Sequence, residues 1–294
     1  VVRLLSRPVT PTPHTASIAG SRPAAPLWRR LLGAQESGLL AVILVVMVGL
    51  TVFGHFTPKN IPKRDGAGQI VRDPDSNRVL TVEVNRFLEL NNIVQITTQA
   101  SFIAVMAVGM TAVIILAGVD LAGGSMSALA ALLGAMALKQ FVPDSSVWVS
   151  VPLAVVICCG VGGVLGLVNG SLIVGLKVHP FIITLGTMTI YRGLVVVISG
   201  AHAISQLPES LQKGFFKFEA AGVYPMLTGI MIGVAVIGAL VLSRTVFGRR
   251  VYAIGGNETA AKYAGVPVGR VKVMCYGLVG MLTGLSACMY IGYY

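Results

Sequence analysis

VWVSVPLAVVICCGVGGVLGLVNGSLIV, residues 147–174, contains no lysine, arginine, aspartate or glutamate. A helix needs about 20 residues to cross the hydrocarbon of a bilayer. This run is longer than one crossing, so it is expected to tilt or to break. Gly162, Gly166 and Gly170 recur at every fourth position and share one helical face. Such a face lets a second backbone approach closely in lipid. Gly229/Gly233 and Gly280/Gly284 repeat the spacing, and the expectation for all three is bundle packing or contact with a second copy. Asn169 is the polar residue within the first of these faces.

Six more apolar runs lie outward from this one: Leu39–Phe56, Ser101–Ala117, Gly123–Leu138, Phe181–Ile198, Met226–Leu242 and Val273–Tyr294. The expected fold is an all-α, polytopic transmembrane helix bundle of about seven spans over 39–294. Gly123–Leu138 is short for a span. Composition agrees. The 294 residues are 55% hydrophobic and 11% charged, against about 25% charged in an ordinary soluble domain. Cys158, Cys159, Cys275 and Cys288 all fall in apolar runs and read as small buried hydrophobes, with neither disulfide nor metal-ligand spacing.

The polar segments carry the orientation. Residues 1–38 hold five arginines, one acid and five prolines, the composition of a basic, disordered cytoplasmic tail. A signal peptide is the rival reading, but no small-x-small cleavage site follows Leu39–Phe56. Residues 57–95 mix six basic with five acidic side chains and read as a solvated external loop, with an interfacial helix over Val84–Thr98 as the alternative. With the N-terminus inside and the spans alternating, the inner segments hold 12 Lys/Arg. The outer ones hold nine, nearly balanced by eight acids. The positive-inside rule then accounts for the net charge of +11, and nucleic acid is not needed as a partner. The same count puts 243–272 on the cytoplasmic side.

No constellation of catalytic or metal-binding residues stands out. A P-loop, an H-E-x-x-H, a G-x-S-x-G and a Cys/His pair at metal spacing are all missing. No catalytic residue, metal site or cofactor is expected, and the chain is not expected to be an enzyme or to hydrolyse ATP itself. His14, His55, His179 and His202 are scattered and read as surface or interface residues.

The polar stretch Phe247–Lys272, FGRRVYAIGGNETAAKYAGVPVGRVK, has a local plan. Gly255 and Gly256 predict a flexible turn. Asn257 stands where an N-cap belongs, and Glu258 suits the positive end of the helix dipole. Thr259–Ala264 gives about two turns with a small face of Ala260, Ala261 and Ala264. Gly265 stops the helix in a left-handed conformation, and Pro267 prevents its restart. Two turns are not stable alone, so this helix must pack against something.

On these residues the stretch resembles the cytoplasmic loop of membrane permeases of bacterial sugar ABC importers, the ribose/xylose/galactose branch. LAGVDLAGGSMS (116–127) and GLVNGSLIVGLKVHPFIITLGTMTIYRGLVVVISG (166–200) resemble the same family in the same order. The resemblance covers roughly 96–290. It implies that Gly255, Gly256, Asn257, Glu258, Ala260, Ala261 and Gly265 form the element docking into a partner ATPase. A periplasmic sugar-binding protein and a second permease chain would complete the assembly in the bilayer. The place would be the bacterial inner membrane, with the N-terminus cytoplasmic, and the work would be monosaccharide import by alternating access.

Four residues are candidates for the translocation path: Asp120, Ser125, Asn169 and Arg192. Asp120 is the sole acid between Glu89 and Asp144. It either serves function at membrane depth or caps a helix beginning near Leu121. In the family the element D-L-x-x-G-S, here Asp120, Leu121, Gly124 and Ser125, resembles a re-entrant segment near the path. Arg192 falls about 16 Å into its run at 1.5 Å per residue. It is either a structural clamp or a pathway residue, with Asp120 as one possible partner. Asn169 bonds across helices or meets a sugar hydroxyl. A permease for branched-chain amino acids or another small solute is the alternative, and an ion-coupled secondary transporter a further one. The latter would call for internal repeats and paired intramembrane acids. The family's permeases run on past GLVGMLTGLSA (277–287), so this chain reads as C-terminally truncated relative to them, and without the remainder no transport is expected.

Overall fold

The computed structural model describes residues 37–56, 59–62, 71–72, 78–85, 87–141, 146–202, 211, 215–218 and 224–294. The basic tail expected over 1–38 lies outside the described residues up to 36. The chain divides into two units, Val1–Asn85 and Arg86–Tyr294.

In the first unit, α1 spans Ser37–Phe56. Where the sequence reads as loop, β1 (Lys59–Pro62) pairs antiparallel with β2 (Thr81–Val84), Lys59 opposite Val84. Thr81, Val82 and Val84 are β-branched and favour an extended backbone. Asn85 Nδ2 donates to the Thr51 carbonyl of α1 at 2.8 Å.

Among the described residues of the second unit the regular elements are helices: α2 (Leu90–Ile115), α3 (Gly123–Phe141), α4 (Val147–Leu176), α5 (Pro180–Ser199), α6 (Pro225–Arg244), α7 (Val246–Gly256), α8 (Glu258–Tyr263) and α9 (Val268–Tyr293). Among the described residues five helices are long and apolar enough to cross a membrane: α2 from Asn92, α4, α5, α6 and α9. The bundle is as expected, and each of the seven apolar runs is a helix, but α1 and α3 fall outside that set of five. The α2 helix starts at Leu90, well before the run at Ser101, because Ile93, Val94 and Ile96 carry the apolar pattern back into the polar segment. A separate interfacial helix over Val84–Thr98 is therefore not formed. The α4 helix is unbroken for 30 residues, about 45 Å at 1.5 Å per residue.

At the centre stands α9, with 67% of its apolar window buried against 6% for α6. Glycine lets it touch α4 backbone to backbone. A Cβ at Gly162 would meet Gly280 and Gly284, one at Gly166 would meet Tyr276 and Gly280, and one at Gly170 would meet Val273. The small-residue faces of α4 and α9 are thus used inside one chain. Gly229 and Gly233 on α6 have open space instead. At the far end of α9, Tyr224, Tyr293 and Tyr294 pack edge to face, with ring centroids 5.1 and 4.9 Å apart. Aromatic rings of this kind suit a membrane–water boundary.

Candidate functional site

The segment from α7 to the start of α9 is held more firmly than its length suggests. Thr245 caps α7, its Oγ1 accepting from Gly248 N–H at 3.2 Å. Phe247, Val251 and Ile254 recur at helical spacing, and Val251 and Ile254 are fully buried, so α7 is an amphipathic helix laid on the bundle. Gly255 and Gly256 are its last residues rather than a flexible turn. Asn257 N–H closes the final turn on the Ala253 carbonyl at 3.1 Å. A Cβ at Gly255 would run into the Ile115 carbonyl, so that glycine serves close packing against the end of α2.

Asn257 then caps α8, with Oδ1 accepting from Ala260 N–H at 2.9 Å. At the other end Gly265 takes φ +81°. Gly265 N–H donates to Lys262 O, and Val266 N–H to Ala261 O, which satisfies the last carbonyls. Ala261 is buried in the core. Glu258, Thr259, Ala260, Lys262 and Tyr263 are exposed, Tyr263 at 89%. Lys272 Nζ of α9 reaches both Glu258 carboxylate oxygens at 2.8 Å. This ion pair ties the short helix to the central one, and nothing in the local sequence pattern announced it.

The candidate path residues separate into two environments. Asp120, Ser125 and Asn169 are buried. Asp120 lies in the connection between α2 and α3, its Oδ1 accepting from Ala122 N–H at 2.9 Å. The helix begins at Gly123, not near Leu121, and Met126 N–H bonds the Ala122 carbonyl. Asp120 therefore shapes the turn before α3 and does not sit at its cap. Its Oδ2 is buried without a partner, and burial pushes the carboxyl above its ordinary value, partly offset by the Ala122 bond. Beside it, Tyr276 of α9 donates to Val119 O at 3.2 Å. Asn169 joins three helices: Tyr191 of α5 donates to its Oδ1 at 3.0 Å, and its Nδ2 points to Met126 Sδ of α3 at 3.8 Å. Asn169 thus bonds across helices.

Arg192, next to Tyr191, faces outward and is exposed, about 18 Å along α5 at 1.5 Å per residue. It does not meet Asp120, whose free oxygen has no partner. His179 caps α5, Nδ1 accepting from Phe181 N–H at 3.3 Å. A cleft of about 920 Å³ opens between the α4–α5 turn, α8 and the first turn of α9.

The family model described as "Branched-chain amino acid transport system / permease component" matches residues 92–294. The ribose import permease protein RbsC of Bacillus subtilis is 39% identical over 209 residues, 69% of this chain and 61% of that one. The galactose/methyl galactoside import permease protein MglC of Escherichia coli is 35% identical over 217 residues, 70% and 64% of the two chains. The autoinducer 2 import system permease protein LsrC of Enterobacter sp. is 31% identical over 204 residues, 69% and 57%. The chain spans about three fifths of the length of these relatives. No solved structure matches it.

Proposed function

The chain belongs to the branched-chain amino acid transport system permease family and is a multi-pass membrane protein, and on that footing we propose that it serves as the membrane-spanning subunit of an ATP-driven importer of a monosaccharide. The observation that carries the reading is α8. It is a six-residue helix, capped at both ends and anchored to α9 by an ion pair, yet it presents Ala260, Lys262 and Tyr263 to the outside. A short helix held this firmly, with an exposed face of Ala260, Lys262 and Tyr263, supports a docking role. The partner we assign is an ABC ATPase that hydrolyses the ATP, and Gly255–Gly265 is its docking element. In this assignment α8 lies on the cytoplasmic side of the inner membrane, the N-terminus is cytoplasmic, and residues 57–95 face the periplasmic binding protein.

Arg192 supports a second permease chain. A charge facing lipid near mid-bilayer costs a few kcal/mol or more, so the outer face of α5 belongs against protein or a water-filled path. We assign it to the path between two copies, with Asp120, Ser125 and Asn169 as the buried support behind it. Two of the relatives carry sugars in their names. The third carries autoinducer 2, which supports a different small solute as the second reading.

The test is a detergent pull-down of the tagged chain from its host, with Ala260→Arg in parallel. Ala260 is exposed, and only its backbone takes part in the cap, so the added side chain blocks docking while leaving the fold intact. An ATPase recovered with the parent and lost with A260R is the expected outcome. No ATPase with either would refute the importer reading. Competition of labelled ribose uptake by galactose, autoinducer 2 and leucine, in a host that supplies the rest of the importer, would separate the substrate classes.

A further inference from the structure

We propose that the cleft between the α4–α5 turn, α8 and the first turn of α9 binds a phosphate-bearing anion at the membrane surface. Its walls carry Lys177, Lys262, Arg270 and Lys272 against one carboxylate, Glu258. That carboxylate is already committed, both oxygens lying 2.8 Å from Lys272. Lys177, Lys262 and Arg270 therefore converge from three different elements with no acid to balance them among the described residues. All three are exposed, and the cleft is open to a ligand.

The backbone adds to the same field. The first turns of α5 and α9 border the cleft at Pro180 and at Val268–Arg270, and helix N-termini are positive. An arginine with lysines around it suits phosphate, which takes parallel N–H bonds from the guanidinium and point charge from the ammonium groups. At about 920 Å³ the cleft is far larger than a bare ion needs, and Leu116, Ile173 and Val266 give it an apolar floor. A phosphate ester with an organic portion fits both halves. Basic pockets at the ends of spans take lipid headgroups, and a soluble phosphate ester offers the same chemistry.

The full chain, purified without any ATPase, tests this with two probes. The first is native mass spectrometry from nanodiscs of equal phosphatidylglycerol and phosphatidylcholine. The second is thermal unfolding in detergent with inorganic phosphate against chloride at equal ionic strength. The variants are K177N/R270Q, R249Q/R250Q and K262Q. Asparagine is chosen because Lys177 has φ +54°, which asparagine tolerates. Arg249 and Arg250 are exposed and lie outside the cleft lining.

The expected result is anion retention by the parent that falls about thirtyfold in K177N/R270Q, in line with two basic side chains lost at a membrane surface. K262Q should fall in the same direction, and R249Q/R250Q should retain binding. Retained phosphatidylglycerol identifies a lipid source, and a phosphate-dependent melting shift alone identifies a soluble one. Parent and K177N/R270Q behaving alike with both probes would overturn the proposal, as would an equal loss in R249Q/R250Q. A cleft filled only by an acidic polypeptide would give that first overturning result. Since no ATPase is present, failure here leaves the coupling reading of α8 standing.

Discussion

Asp120→Asn isolates the cost of holding a carboxylate inside the bundle. One oxygen of Asp120 accepts from Ala122 N–H, the other is buried with no partner, and the side chain is 4% exposed. The carboxyl is raised above its ordinary value of 3.8, mainly by burial. A raised carboxyl pKa means that the folded state holds the proton more tightly than the unfolded state. The stability this contributes is complete below about pH 3.8 and is lost as pH rises through the folded value. The amide keeps the acceptor for Ala122 and removes the charge. Near neutral pH the variant should therefore gain about 1 kcal/mol or more, because the amide nitrogen is as unpaired as the oxygen it replaces and only the cost of the charge is removed. That corresponds to a Tm higher by a few degrees. The assay is thermal unfolding of parent, D120N and D120A in detergent from pH 4 to pH 8. The parent should fall relative to D120N as pH rises, and the two should converge at pH 4. D120A, which also loses the Ala122 bond, should lie below D120N throughout. Parallel curves for parent and D120N, or a parent that gains on D120N with rising pH, would refute the reasoning, because a cation would then be stabilising the ionised form.

Gly166→Ala should cost about 1–3 kcal/mol, because the new Cβ meets the backbone of Gly280, with Cα and N at 3.0 Å, which cannot rotate aside. Gly163→Ala, with Met281 Cβ at 3.9 Å, should be tolerated in the same unfolding assay. Tyr191→Phe leaves Asn169 Oδ1 without its donor and should cost about 0.6–1.7 kcal/mol, the scale of hydrogen bonds between membrane helices. Asn169→Leu should cost less through hydrogen bonding, since the phenol can turn to Leu165 O at 3.3 Å. A double-mutant cycle in which the two effects simply add would contradict this. Glu258→Lys should abolish ATPase recovery, and Lys272→Glu added to it should restore part. The pair is partly exposed, 55% and 22%, and is worth under about 1 kcal/mol to stability, so circular dichroism and Tm should hardly move.

Some of this was open to reading in advance. Uninterrupted apolar runs fix helices, because in lipid each backbone group must be satisfied within its own segment. Asn257 and Gly265 were legible as a cap and a stop because those roles depend on local backbone chemistry. The α7 helix was missed although Phe247, Val251 and Ile254 carry its period, since paired glycines at its end read as a turn. Gly255 is there for the Ile115 carbonyl, a contact with a residue far away in sequence. The same distance hid the Glu258–Lys272 pair, the Tyr191–Asn169 bond and the basic cleft. Each is made by residues on separate helices, and periodicity says which face a residue occupies but not what faces it.

Those hidden contacts form a continuous path from the exposed helix to the buried polar cluster. Glu258 holds Lys272 in the first turns of α9, and one turn further along Tyr276 donates to the Val119 carbonyl beside Asp120. Between them α9 meets α4 backbone to backbone at Gly162 and Gly166, and at Gly170 the Val273 backbone and Tyr276 Cβ close the contact. Side chains absorb small displacements by changing rotamer, whereas backbone against backbone cannot. A push on α8 would therefore reach α4 and α9 as movement of a joined pair and would arrive at the α2–α3 turn through the Tyr276 phenol and through the Gly255 contact with Ile115. In the importer reading, the glycines do more than bring helices close. They make the centre of the bundle stiff enough that work done by an ATPase at one end is not lost before it reaches the path.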